Sequence, residues 1–212
     1  MADGQKVYVF KDPARLTRIA TWAIYVLCFT EGLSLLFSFA DLLSLPAAGA
    51  GNSADLRLGV ILIIDFFVLV ITGILTLVWI YRVNSNAHAL TVRPMEFSPA
   101  WAVGWNFVPF ASLWKPFQAM REIWNMSKSP GTETAATPAI MRWWWGLWIV
   151  NNIFSQLSAR LMSDTGAQNA ASDVTGMIAN ATSIGACIFL LVMMRRIAGW
   201  QTEAAHADAV FA

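Results

Sequence analysis

The sequence predicts an all-α polytopic membrane protein with four transmembrane helices, a re-entrant or interfacial segment and an amphipathic cytoplasmic helix. Three observations predict it. Apolar residues make up 57% of the 212 residues and charged residues only 13%, the latter about half the usual share for a soluble chain. Four apolar stretches, at about 16–45, 58–81, 143–162 and 174–197, are each long enough to cross a ~30 Å hydrocarbon core, which needs about 20 residues. Once they are set aside no sequence of domain size remains, so residues 1–212 read as a single membrane domain.

The first stretch, from Leu16 to Leu45, is too long for the apolar region of a signal peptide and is expected to stay as an anchor. Lys6, Lys11, Arg15 and Arg18 precede it. Arg82, Arg93, Lys115, Arg121, Lys128 and Arg142 lie between the second and third stretches, and Arg195 and Arg196 close the fourth. Only Arg57 and Arg160 fall on the other side. Basic residues are retained in the cytoplasm, so both termini and the central loop are expected inside. Trp22, Tyr25, Trp79, Tyr81, Trp143, Trp144, Trp145 and Trp200 cluster at the same expected interface, where amphipathic rings favour the headgroup layer. The outer connections, Pro46 to Asp55 and Ser163 to Asp173, are short and polar and read as plain loops.

Between the second and third stretches, residues 99–126 form an unusual segment. Ala100 to Trp114 is apolar and aromatic but too short for a comfortable span, and Pro99, Pro109 and Pro116 interrupt it. A fifth span is the alternative; it would carry Lys115, Arg121, Lys128 and Arg142 outside, against the charge bias, so a re-entrant or interfacial segment is preferred. Pro116 suits the first turn of a following helix, in which Phe117, Met120 and Trp124 share one face. With Trp101, Trp105 and Trp114 they make a candidate surface for the membrane interface or for a protein partner. Ser127 to Thr137 reads as a flexible linker.

The blocks NAHAL, FSPAWAVGWNFVPFASLWKPFQAMREIW and PAIMRWWWGLWIVNNI resemble a bacterial multi-span membrane family known as domain of unknown function 4328. The resemblance extends from the first span to the RRIAGWQ after the fourth. It implies a membrane protein and no assigned activity, substrate or catalytic residue.

Polar residues within the apolar stretches are costly and therefore informative. A charged side chain at mid-membrane costs on the order of 3 kcal/mol on insertion scales. At 1.5 Å per residue, Glu31 lies about 12 Å and Asp65 about 10 Å from the outer boundary, and Asn180 about 9 Å. These three, with Arg160 near the outer end of the third span, are expected to form one intramembrane polar cluster. Such a cluster either fixes helix register or holds a proton, cation or small solute. Asp41 is expected at the outer interface, and Asn151 or Asn152 to bond across helices. Ala179, Ser183 and Cys187, spaced by four, with Ala181 and Gly185, allow close helix approach.

No P-loop, dinucleotide fingerprint, HExxH or CxxC motif occurs, and no catalytic residue, metal site or cofactor is expected. The net charge of +1 gives no nucleic-acid signal. Cys28 and Cys187 read as small buried hydrophobes, and His88 and His206 as solvated surface residues. The leading functional reading is a non-catalytic accessory, scaffold or assembly subunit in contact with the lipid bilayer and a membrane-protein partner or larger complex. The alternative is a small transporter or channel using the Glu31 and Asp65 carboxylates. The charge bias makes a topological prediction. In a background lacking Cys28 and Cys187, a cysteine at position 128 labels only from the cytoplasm, while cysteines at 52 and 166 label from outside; outside labelling at 128 would favour five spans.

Overall fold

A computed structural model describes residues 8–43, 51–91, 93–129, 137–165 and 169–211. Parts of the expected outer loops (44–50, 166–168) and of the linker (130–136) lie outside them, as do the side chains of Asp41 and Arg57. Among the described residues six α-helices follow in order: α1 Ala14–Leu43, α2 Gly51–Leu90, α3 Pro99–Gly104, α4 Lys115–Lys128, α5 Ala139–Thr165 and α6 Ala170–Phe211. No strand occurs among the described residues.

Three helical stretches are long and apolar enough to cross a membrane: Ala14–Ala40, Gly59–Leu90 and Ala170–Ala207. The expected third span departs from this. Helix α5 has 27 residues, about 40 Å at 1.5 Å per residue, so its length suffices. Its apolarity does not, because Arg142, Asn151, Asn152, Gln156 and Arg160 interrupt it. Helices α2 and α6, at 40 and 42 residues, also run well beyond their apolar stretches. The polar sequences RVNSNAHAL and RRIAGWQTEAAHADAV continue the helices, since neither contains a helix-breaking proline.

The described residues divide into two compact units. The first lies within Met1–Thr21, Ile74–Met141 and Leu191–Ala212. Its interior is that of a soluble protein: Trp79, Val83, Met120, Ile123, Met141, Met193, Met194 and Ile197 are wholly or almost wholly buried. Buried polar groups are threaded through it. Gln201 Nε2 donates to Val83 O (2.8 Å) and Ser127 Oγ (2.9 Å), and its Oε1 accepts from Asn86 Nδ2 (3.1 Å). Asn86 in turn holds the backbone of Lys11 at both N–H (3.0 Å) and C=O (2.9 Å). Trp79 Nε1 donates to Thr17 Oγ1 (2.9 Å), whose hydroxyl donates to Pro13 O (2.9 Å).

The aromatic segment belongs to this unit and is not a continuous crossing. Ser98 caps α3 and Pro99 occupies its first turn. Two single 3₁₀ turns follow, Trp105–Phe107 and Ala111–Leu113. Between them the Ala111 N–H donates to Pro109 O (2.7 Å) around Phe110, at φ 62° and ψ −51°. This is the rare, strained form of γ-turn. It holds Phe110 79% exposed beside Phe107 at 72%. Helix α4 then corrects the expected amphipathic surface. Met120 is 1% and Trp124 4% exposed, packed inward with Ala119, Ile123 and Ser127, and Trp124 meets Trp200 edge-on at 4.8 Å. The Met120 and Trp124 side of α4 is covered by the chain itself. Phe117 is half-buried, and only Trp101, Trp114 and, partly, Trp105 remain outward.

Residues beyond the sequence reading hold this segment in place. The Glu122 carboxylate accepts the N–H groups of Glu96 and Phe97. His88, far from solvated, donates from Nε2 to Phe97 O (3.1 Å) and stacks on Tyr8 at 4.6 Å. Lys115 pairs with Glu96 (3.3 Å) and lies over the rings of Phe97 and Trp105.

The second unit lies within Trp22–Gly73 and Arg142–Leu190. Here the pattern reverses. Phe29, Leu36, Phe39, Phe66, Phe67 and Ile71 are exposed, while Thr72, Ser172 and Asp173 are buried. Apolar side chains outside and polar ones inside are what a hydrocarbon solvent imposes. Helices α5 and α6 are joined by polar bonds: Asn151 Nδ2 donates to Ala179 O (2.9 Å) and Ser158 Oγ to Ser172 O (2.8 Å). Asn152 instead bonds within its own helix, to Trp148 O (2.7 Å). Small residues on α6 permit the approach, and a methyl group at Gly185 would press on Leu147 at 2.9 Å.

Two predictions follow from the first unit. Gln201→Ala strands the Ser127 hydroxyl and the Val83 carbonyl in an apolar core, and is expected to cost about 3 kcal/mol, read as a lowered thermal midpoint in detergent. For Glu122, burial pushes the carboxyl above its ordinary value of 4.5, and the two N–H bonds pull it only partly back. The folded chain therefore keeps a proton that the unfolded chain has lost, and stability falls as pH rises upward from 4.5. The melting temperature of Glu122→Gln should lack this fall when both proteins are scanned from about pH 4 upward; parallel profiles would remove Glu122 as its source.

Candidate functional site

The second unit carries a half-open cavity of about 250 Å³. Helix periodicity places its polar lining. Ser34 and Ser38 are one turn apart on α1, Asp65 stands on α2, Ser155 and Ser158 line it from α5, and Asp173 and Asn180 are two turns apart on α6. The wall also carries apolar groups, among them Phe37, Ile61, Leu62 and Met162. No lysine, arginine or histidine is among the lining residues. Hydroxyls, carboxylates and an amide thus converge on a space bounded by hydrocarbon.

Each acid is held. Ser34 Oγ donates to Asp65 Oδ2 (2.7 Å). Ser183 Oγ donates to Glu31 Oε1 (3.1 Å). The Asn180 amide, with Nδ2 turned toward α1, donates to Glu31 Oε2 (2.9 Å) and to Gly176 O (3.3 Å). Asn180 therefore links Glu31 to the cavity wall. Cys28, one turn from Glu31 on α1, carries a free thiol, as does Cys187, one turn beyond Ser183 on α6.

The geometry thus brings Glu31 and Asn180 into direct contact, with Asp65 on the same cavity. Arg160 stands apart. Ser155, Ser158, Ala159 and Met162 form the inward face of α5, and Arg160 is displaced by roughly 150° around the helix from its centre, at 100° per residue. Its side chain is exposed, and it makes no ion pair with Glu31 or Asp65 among the described residues. Sequence reasoning missed Ser34, Ser155, Ser158 and Asp173. The signal available was spacing: Ser34 and Ser38 recur on the face of Glu31, and Ser155 and Ser158 on one face of α5.

Chemically, the arrangement offers oxygen ligands and exchangeable protons without a fixed positive charge. That favours a proton, a small cation or a neutral hydrogen-bonding solute over an anion.

The sequence model of the family described as Domain of unknown function (DUF4328) matches residues 44–199. The chain belongs to this family. No curated protein and no solved structure matches it. The DUF4328 match begins after α1, so it is shorter than the resemblance that starts at the first span. It includes Asp65, Asp173, Asn180 and Ser183 and leaves Glu31, Ser34 and Cys28 outside.

Proposed function

We propose that this multi-pass membrane protein binds and moves a proton, small cation or small polar solute through the acid- and hydroxyl-lined cavity of its second unit. In this reading it lies in a bacterial cytoplasmic membrane with both termini inside. The observation that carries it is the convergence of Asp65, Asp173, five serines and Asn180 on one cavity of about 250 Å³, with Glu31 bonded to Asn180 at its edge. Such a volume admits several water molecules, each occupying about 30 Å³ in the liquid, so a solute can enter partly hydrated. Glu31 and Asp65 supply negative charge that the entering ion or proton neutralises, and the serine hydroxyls and Asn180 replace its water.

The accessory or assembly role stands as a second reading. It is favoured by the outward aromatic edge of Trp101, Phe107, Phe110, Leu113 and Trp114, each about half exposed or more. It is weakened by the burial of Met120 and Trp124, the centre of the face that suggested it.

Reconstitution into proteoliposomes tests the first reading. Wild-type protein should carry H⁺, Na⁺ or K⁺, or show ion-dependent thermal stability. Asp65→Asn retains an oxygen acceptor for Ser34, and should fold normally yet lower flux or ion affinity by about tenfold or more. Glu31→Gln should do the same with an added stability loss of about 1 kcal/mol, because one of its two bonds is broken. A wild-type protein indifferent to all three ions, with variants that behave identically, would sink the proposal and leave the accessory reading.

A further inference from the structure

In the first unit, the beginning of α1 and a turn of α6 frame an open cleft of about 340 Å³, lined by Ala14, Thr17, Arg18, Thr21, Arg195 and Ala198. We propose that this cleft binds the phosphate of an anionic phospholipid headgroup.

Charge comes first. Two guanidinium groups from two helices meet one cleft, both side chains exposed, and no carboxylate lines it. The guanidinium fork matches phosphate oxygens in pairs. Arg18 has no hydrogen bond or ion pair among the described residues. Asp12, the acid nearest in sequence, is engaged elsewhere, its Oδ1 accepting the Ala14 N–H (2.9 Å). The positive end of the α1 dipole adds to the field.

The walls are shaped for a small anionic group. Thr17 is fixed between Pro13 O and Trp79 Nε1, so its hydroxyl sets the wall and leaves the ligand to others. Thr21, one turn further along the same face, has its hydroxyl uncommitted among the described residues. Ala14 and Ala198 keep the opening wide.

Location decides between a lipid and a free anion. Arg18 stands where the apolar run of α1 starts, and Arg195 where that of α6 gives way to polar sequence. Ile19 beside Arg18 is 43% exposed. A cationic cleft at the level where apolar spans end faces the headgroup layer, and anionic lipids are concentrated there. Anchoring by acyl chains then supplies the affinity that an open cleft lacks for a free ion.

The test uses the full chain purified in a neutral detergent, with phosphatidylglycerol, phosphatidylcholine or inorganic phosphate added, and bound lipid counted by native mass spectrometry. Phosphatidylglycerol should bind about tenfold more tightly than phosphatidylcholine, and Arg18→Gln/Arg195→Gln should erase that difference. Arg18→Lys/Arg195→Lys should keep part of it, which guards against a double variant that folds poorly. Arg160→Gln, on α5, should leave it intact. Equal binding of the two lipids, or a glutamine variant that folds and keeps the preference, overturns the proposal. Displacement of phosphatidylglycerol by millimolar inorganic phosphate would make this a free-anion site and overturn the lipid assignment.

Discussion

The side-chain amide of Gln201 is the point on which the first unit depends. It reaches α2 through Val83 O and Asn86, α4 through Ser127, and, by way of Asn86, the backbone at Lys11. Val83, Asn86 and Ser127 are all buried, so the amide cannot exchange them for water. A buried network of this kind specifies one arrangement only if every member is satisfied. It allows polar helix ends, which have little apolar area of their own, to pack as one body. Methionines fill the remaining space: Met120, Met141, Met193 and Met194 are each at most 1% exposed, and flexible thioethers suit irregular gaps between bulky tryptophans.

The second unit answers a different solvent. Phe29, Leu36, Phe39, Phe66 and Phe67 point away from the protein, because lipid gives no reason to bury them, and association there rests on small residues and polar bonds. Asn151 to Ala179 O, Ser158 to Ser172 O, Ser183 and Asn180 to Glu31, and Ser34 to Asp65 are such bonds. Of these groups Ser34, Asp65, Ser158, Ser172 and Asn180 also line the space between the helices. Structural and functional demands therefore fall on one set of side chains, and Asn180 belongs to both.

What the sequence made legible was whatever depends on one helix at a time. Length and apolarity gave α1, α2 and α6, and the rise per residue put Glu31, Asp65 and Asn180 at one level. What depends on rotation about a helix axis, or on what covers a face, was not legible. Arg160 has the right depth and the wrong phase. The Phe117, Met120 and Trp124 stripe was correctly read as one face, yet nothing in its spacing says that Trp200, 76 positions from Trp124, would cover it. The apolar windows also hid how far α2 and α6 continue, because polar residues without proline carry a helix onward as well as apolar ones.

The γ-turn at Phe110 has a consequence for where this segment is at ease. A bulky residue held at positive φ costs about 1–3 kcal/mol, and an aromatic ring left in water forgoes about as much again as burial would give it. In aqueous surroundings the two penalties add at one residue. In apolar surroundings the second vanishes and only the backbone cost remains, so the same presented ring is less costly there than in water. The turn's conformational equilibrium is thereby tied to the polarity of its medium, and the packing of α3 and α4 on either side is what keeps the ring presented in both.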